Sequence, residues 1–209
     1  MKVVEQVEVG IDWTDANLLH EHPYPTHKRS AGLHLTDILR QIAIQTGMLT
    51  DEEQADLMPL RMFLGMAWEQ MCVRLYPEIW WQPGEVERDG VVGSPDGYSC
   101  TFQTDDDNEG VIEEWKYTAK SMRIKGGSAG SHKDVTTETL WMWQVMGYCA
   151  MHPCRPTLAR MHVCWTNGDY TYPLTPRYIR YLVRLEESEI ENVWKMVVSN
   201  RHLVAGGSV

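Results

Sequence analysis

The chain has 209 residues, 43% of them hydrophobic and 23% charged. That supports one sizeable core and is far from the composition of a disordered chain. Nineteen Lys and Arg against 29 Asp and Glu leave a net charge of −10, which excludes a protein that coats nucleic acid by charge alone.

The opening MKVVEQVEVGIDWTDA has Glu5, Glu8 and Asp12 where a signal peptide has its apolar stretch, and no apolar run approaches the roughly 20 residues of a membrane span. A soluble, cytoplasmic protein with no membrane partner is expected. To about position 25 the chain reads as irregular. His20, His22 and His27 are possible metal ligands, but Pro23, Pro25 and the absence of a cysteine pattern favour a solvated loop. A first helix follows Leu35, with Thr36 as N-cap, Ile38, Leu39, Ile42 and Ala43 as apolar face and Gly47 as stop. Thr50 and Glu53 form a capping box for a short second helix. Pro59 opens a third, PLRMFLGMAWEQMCVRLYP, which Pro77 closes.

The middle is strand-like. EVERDGVVGSPDGYSCTFQ alternates and is broken at Gly90, Gly93 and the turn SPDG. An acidic loop at 105–108 follows, with Gly110 closing a hairpin and GVIEEWKY as the returning strand. After the glycine-rich loop GGSAGS, DVTTETLWMWQVMGYCAM reads as a long helix that ends before Pro153. ARMHVCW reads as a strand, and TPRYIRYLVRLEESEIENVWKMVVSNRHL as one or two amphipathic helices. The five cysteines, Cys72, Cys100, Cys149, Cys154 and Cys164, are odd in number and scattered, as buried free thiols would be. There is no internal repeat and no dividing linker, so 1–209 reads as a single domain, with its core over about 60–165 and C-terminal helices over about 175–203.

Chemistry concentrates at Asp96, Glu114 and Lys116. Side chains at i and i+2 of a strand share a face, so Glu114 and Lys116 project together while Trp115 points to the core. A hairpin brings Asp96 from its turn to the same point. Two carboxylates bind a hard divalent cation such as Mg²⁺, which polarises a phosphodiester and lowers the pKa of a bound water. A neighbouring lysine places that water and offsets developing charge. The bland alternative is a surface hairpin with a Glu–Lys pair. Glu69, amid the apolar GMAWEQM, either reaches the metal or sits on the exposed edge of its helix. Gln144 and Tyr148 share a helix face, as core-boundary residues or as supports for the lysine and a phosphate.

This order of elements resembles the PD-(D/E)XK nuclease superfamily. More closely, it resembles the phage-type, lambda exonuclease-like alkaline exonucleases and the RecB-type nuclease domains. The carrying residues are Glu69 in GMAWE, Asp96 in GSPDG, Glu114 and Lys116 in IEEWK, and Gln144 and Tyr148 in QVMGY. The resemblance implies an α/β fold, a central mixed β-sheet flanked by α-helices with a restriction-endonuclease-like core and the metal site at one sheet edge. It implies Asp96, Glu114 and the Trp115 carbonyl as metal ligands, and Glu69 as holder of a second metal or its water. Lys116 would place or activate the nucleophilic water, Gln144 would orient Lys116 or the phosphate, and Tyr148 would support that face. Mg²⁺ is the implied cofactor, with Mn²⁺ as substitute. The cysteine spacing does not reproduce the iron–sulfur cluster of some relatives, so none is expected. Arg29 and Thr36, in a stretch similar to the helix that meets the DNA end, are candidate DNA contacts.

The expected activity is an exonuclease on double-stranded DNA ends in phage-type recombination or repair. A structure- or sequence-specific endonuclease, or a non-catalytic DNA-binding or virion protein that keeps the fold, stands as the alternative. Expected partners are linear duplex DNA, further copies of the chain in a trimeric ring, and a single-strand annealing protein. Trp80 and Trp81 serve such a ring interface or the core. From 117 to 133 there is no acidic residue, while Lys120, Arg123, Lys125 and Lys133 form either a mobile phosphate-following loop or plain exposed loop. Arg177, Arg180 and Arg184 share one helical face, which extends that path or is simply solvated.

Overall fold

The computed structural model describes residues 1–10, 30–49, 59–81, 83–102, 108–118, 134–166 and 176–205. Strands β1 (Lys2–Val9), β3 (Trp80–Trp81), β6 (Gly97–Phe102), β7 (Asn108–Thr118), β8 (Leu158–Trp165) and β9 (Arg177–Arg184) form a six-stranded sheet in the order β1-β9-β8-β7-β6-β3. The β7–β8 pair is parallel and the other pairs antiparallel, so the sheet is mixed. A small sheet of β2 (Leu33–His34), β4 (Val86–Arg88) and β5 (Val91–Gly93) sits beside it in the order β2-β5-β4. Helices α1 (Leu35–Gln45), α3 (Thr139–Met151) and α4 (Glu187–Asn200) pack a large apolar core with one face of the main sheet, through Ile112, Met161, Val163 and Tyr181. Helix α2 (Pro59–Leu75) covers the other face, where Trp68, Met71 and Cys72 meet Trp115, Cys164 and Tyr178. A short α5 (His202–Ala205) ends the described chain. This is the expected α/β layering, a central mixed sheet flanked by helices. No helix among the described residues is long and apolar enough to cross a membrane.

Two tight fits are set by glycine. A Cβ on Gly147 of α3 would lie 2.6 Å from a Leu35 methyl, so only glycine lets α1 approach α3 this closely. The β4–β5 turn carries Asp89 and Gly90 at φ +53° and +75°, the left-handed pair of a two-residue hairpin.

Several elements differ from expectation. RYIRYLVR is strand β9, not helix, so the C-terminal helices reduce to α4 and the short α5. Its apolar run is buried on both sides, which removes the period-2 alternation that marks a half-exposed strand. Arg177, Arg180 and Arg184 therefore share no helical face. Arg177 pairs with Glu8, Arg184 with Glu109, and Arg180 lies over the Tyr76 ring. The opening is strand β1, not irregular chain; a register shift between Val3 and Glu5 breaks its alternation. Helix α1 begins at Leu35 with His34 at the N-cap and no side-chain cap, which puts Thr36 in the first turn instead. Gly47 does follow the helix end, at φ +71°. The predicted helix from 134 opens as a 3-10 turn, Val135–Thr137, capped by Asp134, before α3 begins. Gly110, expected to open its strand, lies in β7 as expected, but the strand begins two residues earlier at Asn108, and the Tyr98 ring crosses over Gly110. Cys72, Cys149 and Cys164 are buried free thiols, but Cys100 and Cys154 are exposed. Trp80 stands on a two-residue edge strand, 63% exposed, and is no core residue. Thr50, Glu53, the histidines at 20, 22 and 27, and the loop at 126–131 lie outside the described residues.

Candidate active site

Strand β6 begins at Gly97, opposite Glu113 of β7. Past Glu113, β7 has no β6 residue to bond. The N–H of Trp115 donates instead to Asp96 Oδ2 at 3.0 Å. The SPDG turn thus replaces a ladder bond with a carboxylate, and Pro95 stiffens its approach. In a strand, the N–H and C=O of one residue point the same way, so the Trp115 carbonyl faces this open edge too.

Glu114 is buried, with 1% of its surface exposed. Its Oε1 accepts from Lys116 Nζ and from Gln144 Nε2, the latter at 2.9 Å. Gln144 Oε1 accepts from Lys116 Nζ at 3.0 Å, and Gln144 Nε2 also donates to the Tyr148 hydroxyl at 3.0 Å. Gln144 and Tyr148, one turn apart on α3, therefore lock the lysine and carboxylate into one network. Gly93 helps to place Tyr148, because a Cβ there would lie 3.1 Å from its ring. Glu114 Oε2 is buried without a hydrogen-bond partner. An orphaned, buried carboxylate oxygen is costly unless another group meets it.

The electrostatics give the same picture. Burial pushes the Asp96 carboxyl well above its usual range, Glu114 and Glu69 add to the rise, and Lys116 and the Trp115 N–H oppose it. Burial pushes Glu69 from 4.5 up to about 7; the neighbouring Trp115 indole pulls it down, the Glu114 charge raises it, and Lys116 lowers it. Glu69 is thus in electrostatic contact with the other two carboxylates and is not a bystander on its helix edge. Burial draws Lys116 downward, but Glu114, Asp96 and Glu69 outweigh it and hold the ammonium above its ordinary value. Glu114 bonds Lys116 directly while Asp96 and Glu69 act on it electrostatically, so negative charge outweighs positive here, a deficit that a divalent cation offsets.

Among the described residues, no three His, Cys, Asp or Glu side chains form a ready-made metal-binding group. The donors at hand are instead Asp96, the orphaned oxygen of Glu114 and the Trp115 carbonyl. That small all-oxygen set fits Mg²⁺, which keeps several waters and binds through one or two carboxylates, and it does not fit a thiophilic metal.

The structure brings together Glu69, Asp96, Glu114, Trp115, Lys116, Gln144 and Tyr148. Thr36 lies close by, lining a cavity of about 190 Å³ with Ser94 and Tyr148. Arg29, Lys120, Arg123, Lys125 and Lys133 lie outside the described residues. The sequence reading missed Glu113 and His162, both fully buried behind the site. The signal was the doubled glutamate of IEEWK, which must send one carboxylate to each face of the sheet.

No protein-family model and no curated protein matches the chain. Among solved structures, the chain is similar to a phage-related exonuclease from Haemophilus somnus 129PT, at 11% identity and a TM-score of 0.46, over 83% of each chain. The overlap is coarse, and the functional reading rests on the site itself.

Proposed function

We propose that the chain is a Mg²⁺-dependent deoxyribonuclease that hydrolyses phosphodiester bonds, acting as an exonuclease on double-stranded ends. The observation that carries this reading is the buried, unpartnered Oε2 of Glu114, on a carboxylate whose other oxygen is bonded to Gln144 and to the lysine that Gln144 also holds. Asp96, Glu114 and the Trp115 carbonyl would hold the cation. Bound there, it would polarise the phosphodiester and lower the pKa of a bound water.

The side chains divide the remaining work. Lys116 is an ammonium at neutral pH, because its carboxylate neighbours outweigh burial. It acts as a donor and positive charge, placing or activating the attacking water and offsetting charge on the phosphoryl oxygens. Gln144 keeps its Nζ on station, and Tyr148 anchors Gln144 in turn. Glu69, pushed up to about 7, suits a proton acceptor near neutrality. The cavity at the start of α1, with Thr36 and Ser94, would take the phosphate of a DNA end.

The test is incubation with linear duplex carrying a 5′ or 3′ label, with and without Mg²⁺. Mg²⁺-dependent release of mononucleotides from one end supports the reading. Cutting of covalently closed circles shows an endonuclease, and DNA binding without turnover shows a binding protein.

A further inference from the structure

Behind Glu114 and Lys116, on the face of the sheet that α2 covers, lies a second polar cluster that the proposed chemistry does not use. Glu113 points away from Glu114 and Lys116, because side chains alternate along β7. Its Oε1 accepts from Arg160 Nη1 at 2.6 Å and from the Ser99 hydroxyl. Its Oε2 lies 2.8 Å from His162 Nε2, and His162 Nδ1 lies 2.6 Å from the Tyr178 hydroxyl. The Arg160-paired carboxylate only accepts, so Nε2 carries the proton and Nδ1 accepts from Tyr178. Burial favours this neutral ring. One line of hydrogen bonds thus crosses β6, β7, β8 and β9.

His162 also holds helix α2. Its main-chain carbonyl accepts from the Trp68 indole at 3.1 Å. Trp68 precedes Glu69, and Glu113 precedes Glu114. One residue is therefore bonded to the chain neighbour of a carboxylate on the helix and of a carboxylate on the strand. Buried ion pairs stabilise little, since apolar replacements of equal volume are often as stable. Their geometric precision is another matter: a misplacement of about 1 Å in a reacting centre costs about 100-fold in rate.

We propose that His162 is a positioning residue, which fixes β7 against α2 through Glu113 and Trp68 and so sets the spacing of Glu114 and Glu69. The consequence for turnover rests on the nuclease reading. The placement of the two elements does not.

The test uses Trp68→Phe and Tyr178→Phe, which each remove one polar group, together with His162→Leu and His162→Gln. Leu158→Ala, a buried residue of the same sheet, is the structural control. Trp68→Phe, Tyr178→Phe and His162→Leu should raise the half-saturating Mg²⁺ concentration about tenfold. At saturating Mg²⁺ the same variants should lower the single-turnover rate by about 10- to 100-fold, with the DNA dissociation constant at that concentration unchanged. His162→Gln, which keeps a donor, should recover part of the loss. Leu158→Ala should lower the melting temperature and move neither readout. Should His162→Leu fail to fold, the two phenylalanine variants decide. Variants that lose only melting temperature, as Leu158→Ala does, overturn the proposal. A wild type without metal-dependent turnover overturns the nuclease reading instead. The ¹H–¹⁵N resonance of the Trp115 amide, bonded to Asp96, then decides: it shifts in Trp68→Phe and stays in Leu158→Ala, or the positioning role falls.

Discussion

Glu69→Gln should stabilise the metal-free protein, which is the reverse of what most substitutions in a buried site do. The cause is first the burial of Glu69 and then the nearby Glu114 charge, which together lift its carboxyl from 4.5 to about 7. The folded state then holds a proton that the unfolded state has released, so stability is highest below pH 4.5 and falls as pH rises to about 7. At about 1.36 kcal/mol per tenfold in proton affinity, the penalty carried by the wild type above pH 7 reaches about 3 kcal/mol. Because Glu69 keeps some solvent contact, that figure is an upper bound. Glutamine keeps the shape and removes the charge. In EDTA at pH 8, Glu69→Gln should therefore melt higher, by roughly 6–12 °C at most for a chain of this size. Near pH 5 the gain should shrink below about 1 kcal/mol, because the wild-type carboxyl is by then protonated in the fold. Saturating Mg²⁺ should narrow the gap at pH 8, since a cation near Glu69 offsets the negative charge that penalises only the wild type. Thermal melts at pH 5, 6.5 and 8, in EDTA and in Mg²⁺, give the whole comparison. A variant no more stable than wild type at pH 8 in EDTA, or a difference that ignores pH, would show that burial beside Glu114 does not hold the Glu69 carboxyl up.

Other consequences are more direct. Asp96→Ala and Glu114→Ala should each abolish Mg²⁺-dependent cleavage, by about a thousandfold or more, with far-UV circular dichroism unchanged; wild-type turnover by both would remove the metal site. Lys116→Ala should keep DNA binding and lose about 10²–10³ in single-turnover rate, and Lys116→Arg should not restore it fully, because the planar guanidinium is larger than the ammonium that Glu114 and Gln144 hold and does not deprotonate. Cleavage that persists while binding collapses would make Lys116 a phosphate anchor. Replacing Lys120, Arg123 and Lys125 with Ala should flatten the salt dependence of DNA binding by about 0.9 in log–log slope per lost phosphate contact; an unchanged slope would make that loop a bystander.

The local chemistry of the site was legible because strand parity is rigid. Once Glu114 and Lys116 lie on one strand, they share a face, and Trp115 goes to the core with Trp68 and Tyr178. The Gln144–Tyr148 pair followed in the same way from helical spacing. Illegible were features that depend on burial on both sides. Strand β9 lies between β1 and β8 with both faces covered, so its apolar run carries no period and its arginines imitate a helical stripe. Strand β1 was hidden by one bulged residue, Val4, which throws the alternation out of phase. The partnership of Glu113 with His162, 49 positions apart, depends on the parallel β7–β8 register, which no local pattern encodes.

That pairing pattern also bears on how an acidic chain meets DNA. Among the described residues, Arg88, Arg155, Arg160, Arg177 and Arg184 all face carboxylates of the same chain. An arginine already paired gains little from a phosphate, because it exchanges one anion for another. The site adds three carboxylates around a single lysine, so without a cation it repels the backbone it is proposed to cut. Attraction must then come from the acid-free stretch 117–133 and from divalent metal at the carboxylates. DNA affinity should accordingly depend on the cation itself and not on turnover alone. With an end-labelled duplex and Ca²⁺, a hard cation of looser geometry than Mg²⁺, binding should be at least about tenfold tighter than in EDTA at equal ionic strength. Asp96→Ala should lose most of that gain, because the cation then has one carboxylate fewer to hold it. Equal affinity with and without divalent cation would mean that the backbone is held away from the carboxylates, and the proposed site would not be where DNA is cut.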